Sequence, residues 1–194
     1  MTVSDLQHDA EARRNLELKV RLTRGGLDAV RDRLARLGTS EPDVQQQEDR
    51  YFAVPGGRLK LRTIICNPAE LRSELIAYRR PDEHGSRWST YSITPLGPEQ
   101  AASLAVTLAQ VLPERVVIRK RREIYLHGAT RIHLDDVQEL GAFVELETVM
   151  SEQSTGDAAT EHQFVIDTLG LAGWPVEAGS YSDLLERSRH QGIG

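Results

Sequence analysis

Charged side chains recur at every second residue in several stretches of this 194-residue chain. Phe143-Val144-Glu145-Leu146-Glu147 sets two carboxylates at that interval, and Arg131-Ile132-His133-Leu134-Asp135 adds a cation, an imidazole and a third carboxylate. Glu17 and Lys19 share the spacing in Asn15-Leu16-Glu17-Leu18-Lys19, as do Arg58, Lys60 and Arg62, and again Lys120 and Arg122. Side chains of a strand alternate between its faces, so each set occupies one face, opposite neighbours that are mostly Leu, Ile and Val. Carboxylates crowded together are costly unless cations, either basic side chains or a metal, sit among them. Cations in a row on one strand face repel each other unless that face meets water or an anion. Polyphosphate chemistry satisfies both demands. Its oxygens accept charge-assisted hydrogen bonds from Arg and Lys, and carboxylates can hold Mg²⁺ or Mn²⁺ against them.

The elements that position these residues are legible in part. Asn15 to Leu22 alternates cleanly and predicts a strand. After Gly25-Gly26, Leu27, Val30, Leu34 and Leu37 recur at helical spacing and Gly38 supplies a stop. Further strands are expected at Gln47–Phe52, Arg58–Arg62, Glu70–Arg80, Trp88–Ile93 (closed by Pro95) and Val116–Leu126, then at the two strands around Leu140-Gly141. Helices are expected from Gly97-Pro98-Glu99 to about Val111, with a packing face of Ala102, Ala105, Leu108 and Ala109, from Thr155–Asp157 onward, and from Ser180. Roughly eight strands joined mostly by short turns predict an α+β fold, an antiparallel eight-stranded closed β-barrel with flanking helices. One domain is expected over residues 14–187, with a frayed lead-in at 1–13 and a flexible tail at 188–194.

Composition narrows the class. Hydrophobic residues make up 39% and charged residues 27%, as in an ordinary globular protein. A net charge of -5 argues against a general nucleic-acid binder. No apolar run approaches the roughly 20 residues that span a bilayer, and the polar N-terminus does not read as a signal peptide. The single Cys66 excludes an internal disulfide and suits a reducing, cytoplasmic setting.

Alternation alone fits two arrangements. The charged faces could be the wet outside of a sheet, where ion pairs contribute only about 0–1 kcal/mol each. In a closed barrel they could instead line the lumen, gathering Lys19, Arg21, Arg58, Lys60, Arg62, Arg80, Lys120, Arg122 and Arg131 against Glu17, Asp135, Glu145 and Glu147.

The residues resemble the CYTH superfamily, which includes class IV adenylate cyclases, thiamine triphosphatases and inorganic triphosphatases. The resemblance runs from about residue 15 to 186. The family's Glu-x-Glu-x-Lys signature stands here as Asn15-Leu16-Glu17-Leu18-Lys19, with an amide at the first carboxylate. Gly57 to Arg62 is similar to its basic strand, Tyr78-Arg79-Arg80-Pro81 places its next arginine at Arg80, and Lys120-Arg121-Arg122 with Tyr125 fits its Lys-x-Arg strand. Arg131 to Glu147 resembles the cyclase-like members most closely, and Ser180 to Leu185 its closing motif. The resemblance implies a triphosphate tunnel with an essential divalent cation.

It further implies Glu17, Glu145 and Glu147, with Asn15 alongside, as metal ligands. Arg58, Lys60, Arg62, Arg80, Lys120 and Arg122 would bind phosphates. Lys19 and Asp135 would be catalytic, Lys19 touching phosphate or tuning the attacking group and Asp135 holding metal or the hydroxyl. ATP cyclisation to cyclic AMP and pyrophosphate is one expected reaction. Hydrolysis of tripolyphosphate, thiamine triphosphate or a nucleoside triphosphate uses the same groups. Asn15 motivates a third reading, a repurposed triphosphate-binding protein, because a neutral amide holds a second metal more weakly. The expected partner is a small-molecule triphosphate, with no nucleic acid and no membrane; a homodimer is left open. His133 shares the inward face and is expected to make a structural hydrogen bond.

Overall fold

The computed structural model describes residues 13–39, 41–67, 70–79, 85–150 and 155–192. These form eight strands: β1 (Arg13–Arg21), β2 (Asp43–Phe52), β3 (Arg58–Asn67), β4 (Glu70–Arg79), β5 (Arg87–Leu96), β6 (Glu114–His127), β7 (Thr130–Val137) and β8 (Gly141–Met150). Four helices accompany them: α1 (Gly26–Leu34), α2 (Pro98–Val111), α3 (Thr155–Thr168) and α4 (Tyr181–Gln191). The strands close into one antiparallel barrel in the order β1-β5-β4-β3-β2-β6-β7-β8, as expected.

The outer apolar stripes explain why the charged faces turn inward. Leu18, Val20, Ile132, Leu134, Val144 and Leu146, on the outer face of β1, β7 and β8, pack against α1 and α3 through Val30, Leu34, Val165 and Ile166, and against Leu169 just after α3. Because side chains alternate, burying this face against helices commits Glu17, Lys19, His133, Glu145 and Glu147 to the lumen. The wet-outer-face arrangement is thereby excluded for these strands.

Two sequence expectations are corrected. Pro95 does not end β5, which runs to Leu96. Among the described residues β1 pairs with Arg87–Tyr91 alone, so there Pro95 has β4 as its neighbour and its missing N–H is tolerated. The inner side of α2 is Ala101, Ala105 and Leu108, against Phe52 and Leu61, whereas Ala102 and Ala109 are exposed. α4 runs to Gln191.

α4 begins with a capping box. The Ser180 hydroxyl accepts from the Asp183 N–H at 3.2 Å, and the Asp183 carboxylate accepts from the Ser180 N–H at 2.8 Å. This fixed start seats Tyr181, Leu184 and Leu185 against Tyr51, Ile118, Val137, Leu140 and Phe143, at the barrel end that carries the β7–β8 turn. No helix among the described residues is long and apolar enough to cross a membrane.

Candidate functional site

The barrel encloses a cavity of about 280 Å³. Its lining includes Asn15, Glu17, Lys19, Lys60, Arg62, Lys120, Arg122, Arg131, His133, Glu145 and Glu147. Cross-strand register brings them together: Lys19 lies opposite Glu145, Glu17 opposite Glu147, His133 opposite Glu145, and Arg131 opposite Glu147. Directly opposed side chains sit close enough to interact, so these residues form one constellation.

Each cation leans on a carboxylate. On one side Asp49, only 1% exposed, accepts from Lys60 Nζ at 2.9 Å and from Arg62 Nε and Nη2 at 2.6 and 2.8 Å. On β7, two strands along the barrel from β2, Asp135, fully buried, accepts from Arg122 Nε at 2.6 Å, Lys120 Nζ at 3.2 Å and the Tyr181 hydroxyl at 2.8 Å. Arg122 also donates to Glu145, and Lys19 pairs with Glu145 at 3.0 Å. Lys19 in addition donates to the Gly179 carbonyl at 3.2 Å and lies 3.9 Å above the Tyr181 ring.

The electrostatics follow. Burial pushes the Asp49 carboxyl up, but Arg62 and Lys60 overcome it and hold the group well below the usual carboxylate range. Burial also favours the neutral acid at Glu145, where Lys19 and Arg122 more than compensate, so it too stays ionised. At Glu147 burial is opposed first by the adjacent His133 and then by Arg131 and Arg122, which leave the carboxyl at about 2. Lys60 moves the other way. Burial and the neighbouring Arg62 outweigh Asp49 and bring its ammonium down to about 7.

Of the residues singled out in the sequence, Arg58 is held at one end of the barrel by Asp183 at 2.8 Å. Arg21 is engaged by Glu177 at 2.6 Å and is not part of the cavity lining. Arg80 lies outside the described residues. Asp135 sits behind Arg122 and Lys120 and does not line the cavity. Glu17 does line it and accepts from the Ser89 hydroxyl. The close group of possible metal donors among the described residues is His133, Glu145 and Glu147, whose ligand atoms all lie within 4.8 Å of one another. His133, expected to make a structural hydrogen bond, makes none at its buried Nδ1.

Sequence reasoning missed Asp49, Tyr51 and Tyr181. In Gln45-Gln46-Gln47-Glu48-Asp49-Arg50 neither face is apolar, because Glu48 on the outer side meets Arg50 and Arg119 in solvent rather than a helix. Alternation therefore gave no parity for β2. The one cue was the count of cations on the adjacent basic strand, which demands a buried counter-charge.

The depressed Lys60 gives a pH prediction. Above about pH 7 it is largely neutral, and a bound polyphosphate favours its charged form, so binding takes up a proton there. Below about pH 6 Lys60 is already charged and its uptake vanishes. Titrating tripolyphosphate at pH 8 in two buffers of different ionisation heat should show the uptake, and Lys60→Met should remove most of it. Equal uptake by the variant would refute the assignment.

Comparison with known proteins gives a consistent picture. Residues 13–173 match the family model described as CYTH domain. The chain is 30% identical over 192 residues to adenylate cyclase CyaB of Aeromonas hydrophila, covering 92% of each. The solved structure of PH1819 from Pyrococcus horikoshii superposes with a TM-score of 0.73 at 20% identity, over 90% of this chain and 99% of that one. HpAC1 from Hippeastrum, reported to have a dominant triphosphatase activity, superposes with a TM-score of 0.63 at 12% identity, over 91% and 95% of the two chains. At such identities the two structures speak for the fold alone.

Proposed function

This chain belongs to the CYTH domain family, and on that premise we propose that it is a metal-dependent enzyme acting on a triphosphate in the barrel lumen, converting ATP to cyclic AMP and pyrophosphate. The observation that carries the proposal is the lumen itself. Lys19, Lys60, Arg62, Lys120 and Arg122 converge on one cavity beside Glu145 and Glu147.

In this reading Lys60, Arg62, Lys120 and Arg122 bind the phosphates. Lys and Arg N–H groups aimed into a closed cavity act in a lower dielectric than water, which strengthens each contact. Asp49 and Asp135 serve as positioning residues. They fix the cations from behind and prevent their mutual repulsion from spreading them apart. Arg58, held at one end of the barrel, would extend the phosphate-binding set, and Arg80 is assigned to the same set from its place in the sequence motif. Glu145 and Glu147 would hold Mg²⁺ or Mn²⁺, with Glu17 facing Glu147 and Asn15 two residues before it on β1. The fit rests on their ionised state and on donor atoms already gathered within 4.8 Å. The ion supplies Lewis-acid neutralisation of phosphate oxygens. Lys19, fixed between Glu145 and Gly179, is placed to contact phosphate or the attacking hydroxyl. The 3′-hydroxyl would attack the α-phosphorus in line, and positioning with charge neutralisation provides most of the rate.

A nucleotide is favoured over an inorganic chain by Ile64, Ile76, Ile93 and Ile124, which line the same cavity. Apolar wall of this kind suits a base or ribose and adds nothing for tripolyphosphate. The likeness to an adenylate cyclase at 30% identity supports the same choice. Hydrolysis is the second reading, because water could replace the hydroxyl without any change of protein groups. The test is to incubate the protein with ATP and Mn²⁺ and separate the products. Cyclic AMP with pyrophosphate is expected. Orthophosphate as the main product would replace cyclisation by hydrolysis, and tight binding without turnover would favour the non-catalytic role that Asn15 raises.

A further inference from the structure

We propose that His133 is a third protein ligand to the metal, making a mixed nitrogen–oxygen donor set that takes Mn²⁺ in preference to Mg²⁺. The inference rests on the metal-dependent reading above and concerns which residues complete its site.

Three observations converge on it. His133 is only 3% exposed, yet its Nδ1 has no hydrogen-bond partner. A buried polar atom left unpaired costs about 1–3 kcal/mol, so a purely structural imidazole should have acquired one. His162, equally buried, shows the ordinary outcome: Nδ1 meets the Thr148 hydroxyl at 2.8 Å and Nε2 the Ser86 hydroxyl at 3.1 Å.

Next, His133 Nδ1 faces two carboxylate oxygens, Glu145 Oε2 and Glu147 Oε1, each at 3.9 Å. That is too long for a hydrogen bond. Two donors bound about 2.1 Å from one ion stand roughly 3 Å apart when adjacent and roughly 4 Å apart when opposite. The observed spacing falls in that interval, and small side-chain rotations would seat the ion.

Three of the four carboxylate oxygens of Glu145 and Glu147 already hold cations. Glu145 Oε1 holds Lys19 at 3.0 Å, and Glu147 Oε2 holds Arg131 at 2.8 Å. Of the two oxygens turned toward His133, Glu145 Oε2 is shared with Arg122, so Glu147 Oε1 is the one better placed to take an ion beside the imidazole. Asn15 adds a second unpartnered atom, its buried Oδ1, in the same cavity.

Donor chemistry sets the preference. Mg²⁺ favours oxygen ligands and retains water, whereas an imidazole nitrogen gains affinity along the first-row transition series.

The test uses the full chain with Mn²⁺ alone, below one equivalent, and no nucleotide. Pulsed electron paramagnetic resonance should show coupling of bound Mn²⁺ to nitrogen-14 in the natural sequence and none in His133→Gln. Calorimetry should show Mn²⁺ affinity falling at least tenfold in His133→Gln while Mg²⁺ affinity changes less than threefold. Absence of nitrogen coupling in the natural sequence would overturn the proposal, whether or not the variant folds. Tripolyphosphate titrated in EDTA separates the two levels. If it binds but nitrogen coupling is absent, only the role of His133 fails; if neither Mn²⁺ nor tripolyphosphate binds, the functional reading fails with it.

Discussion

Arg122→Met should destabilise the protein by about 3–5 kcal/mol, the usual cost of removing one partner from a buried ion pair. Arg122 is 3% exposed and neutralises both Asp135, which is fully buried, and Glu145. Without the guanidinium, Asp135 keeps, among the described residues, Lys120 and the Tyr181 hydroxyl. Burial has already weakened the hold of Lys120 on its proton. For a chain of this size the loss corresponds to a fall in Tm of roughly 6–20 °C. Arg122→Met with Asp135→Leu should recover at least half of it, because the orphaned charge is gone and Lys120 can discharge. Urea unfolding of the two variants measures this. A double variant no more stable than the single one would mean that the two side chains are not energetically paired.

Glu147→Gln should lower turnover of ATP by about 10²–10³-fold at saturating Mn²⁺, the scale on which a lost charge-stabilising group acts. The substitution keeps the shape and removes the charge of a carboxylate whose ordinary state here is ionised, at about 2. Stability should change far less than for Arg122→Met, because Glu147 is less buried and its partner Arg131 is one-third exposed at the side chain. Steady-state rates against Mn²⁺ concentration provide the check. A rate within threefold of the natural sequence would exclude Glu147 as a metal ligand.

The sequence disclosed the barrel and most of its lumen because β1, β7 and β8 are apolar on one side. Leu18 and Val20, Ile132 and Leu134, and Val144 and Leu146 mark the face that helices must cover, so the parity of Glu17, Lys19, Glu145 and Glu147 follows. β2 carried no such mark. Its outer face is solvated, and Asp49, the anchor for two lumen cations, was hidden among polar neighbours on both sides. Asp135 shows a different limit. Its face was legible, but facing inward is not the same as reaching the cavity. Tyr181 and Phe143 close over that end, and the carboxylate is consumed by Arg122 and Lys120. His133 was expected to be a satisfied structural residue, and only coordinates could reveal that its nitrogen has no partner.

Direct titration of tripolyphosphate into the protein at low and high salt, in EDTA, tests the cationic lumen itself. The account predicts one site per chain, weakened at least tenfold by Lys120→Ala and unaffected by Arg36→Ala on the exposed side of the segment after α1. No binding, or equal weakening by the two substitutions, would contradict it.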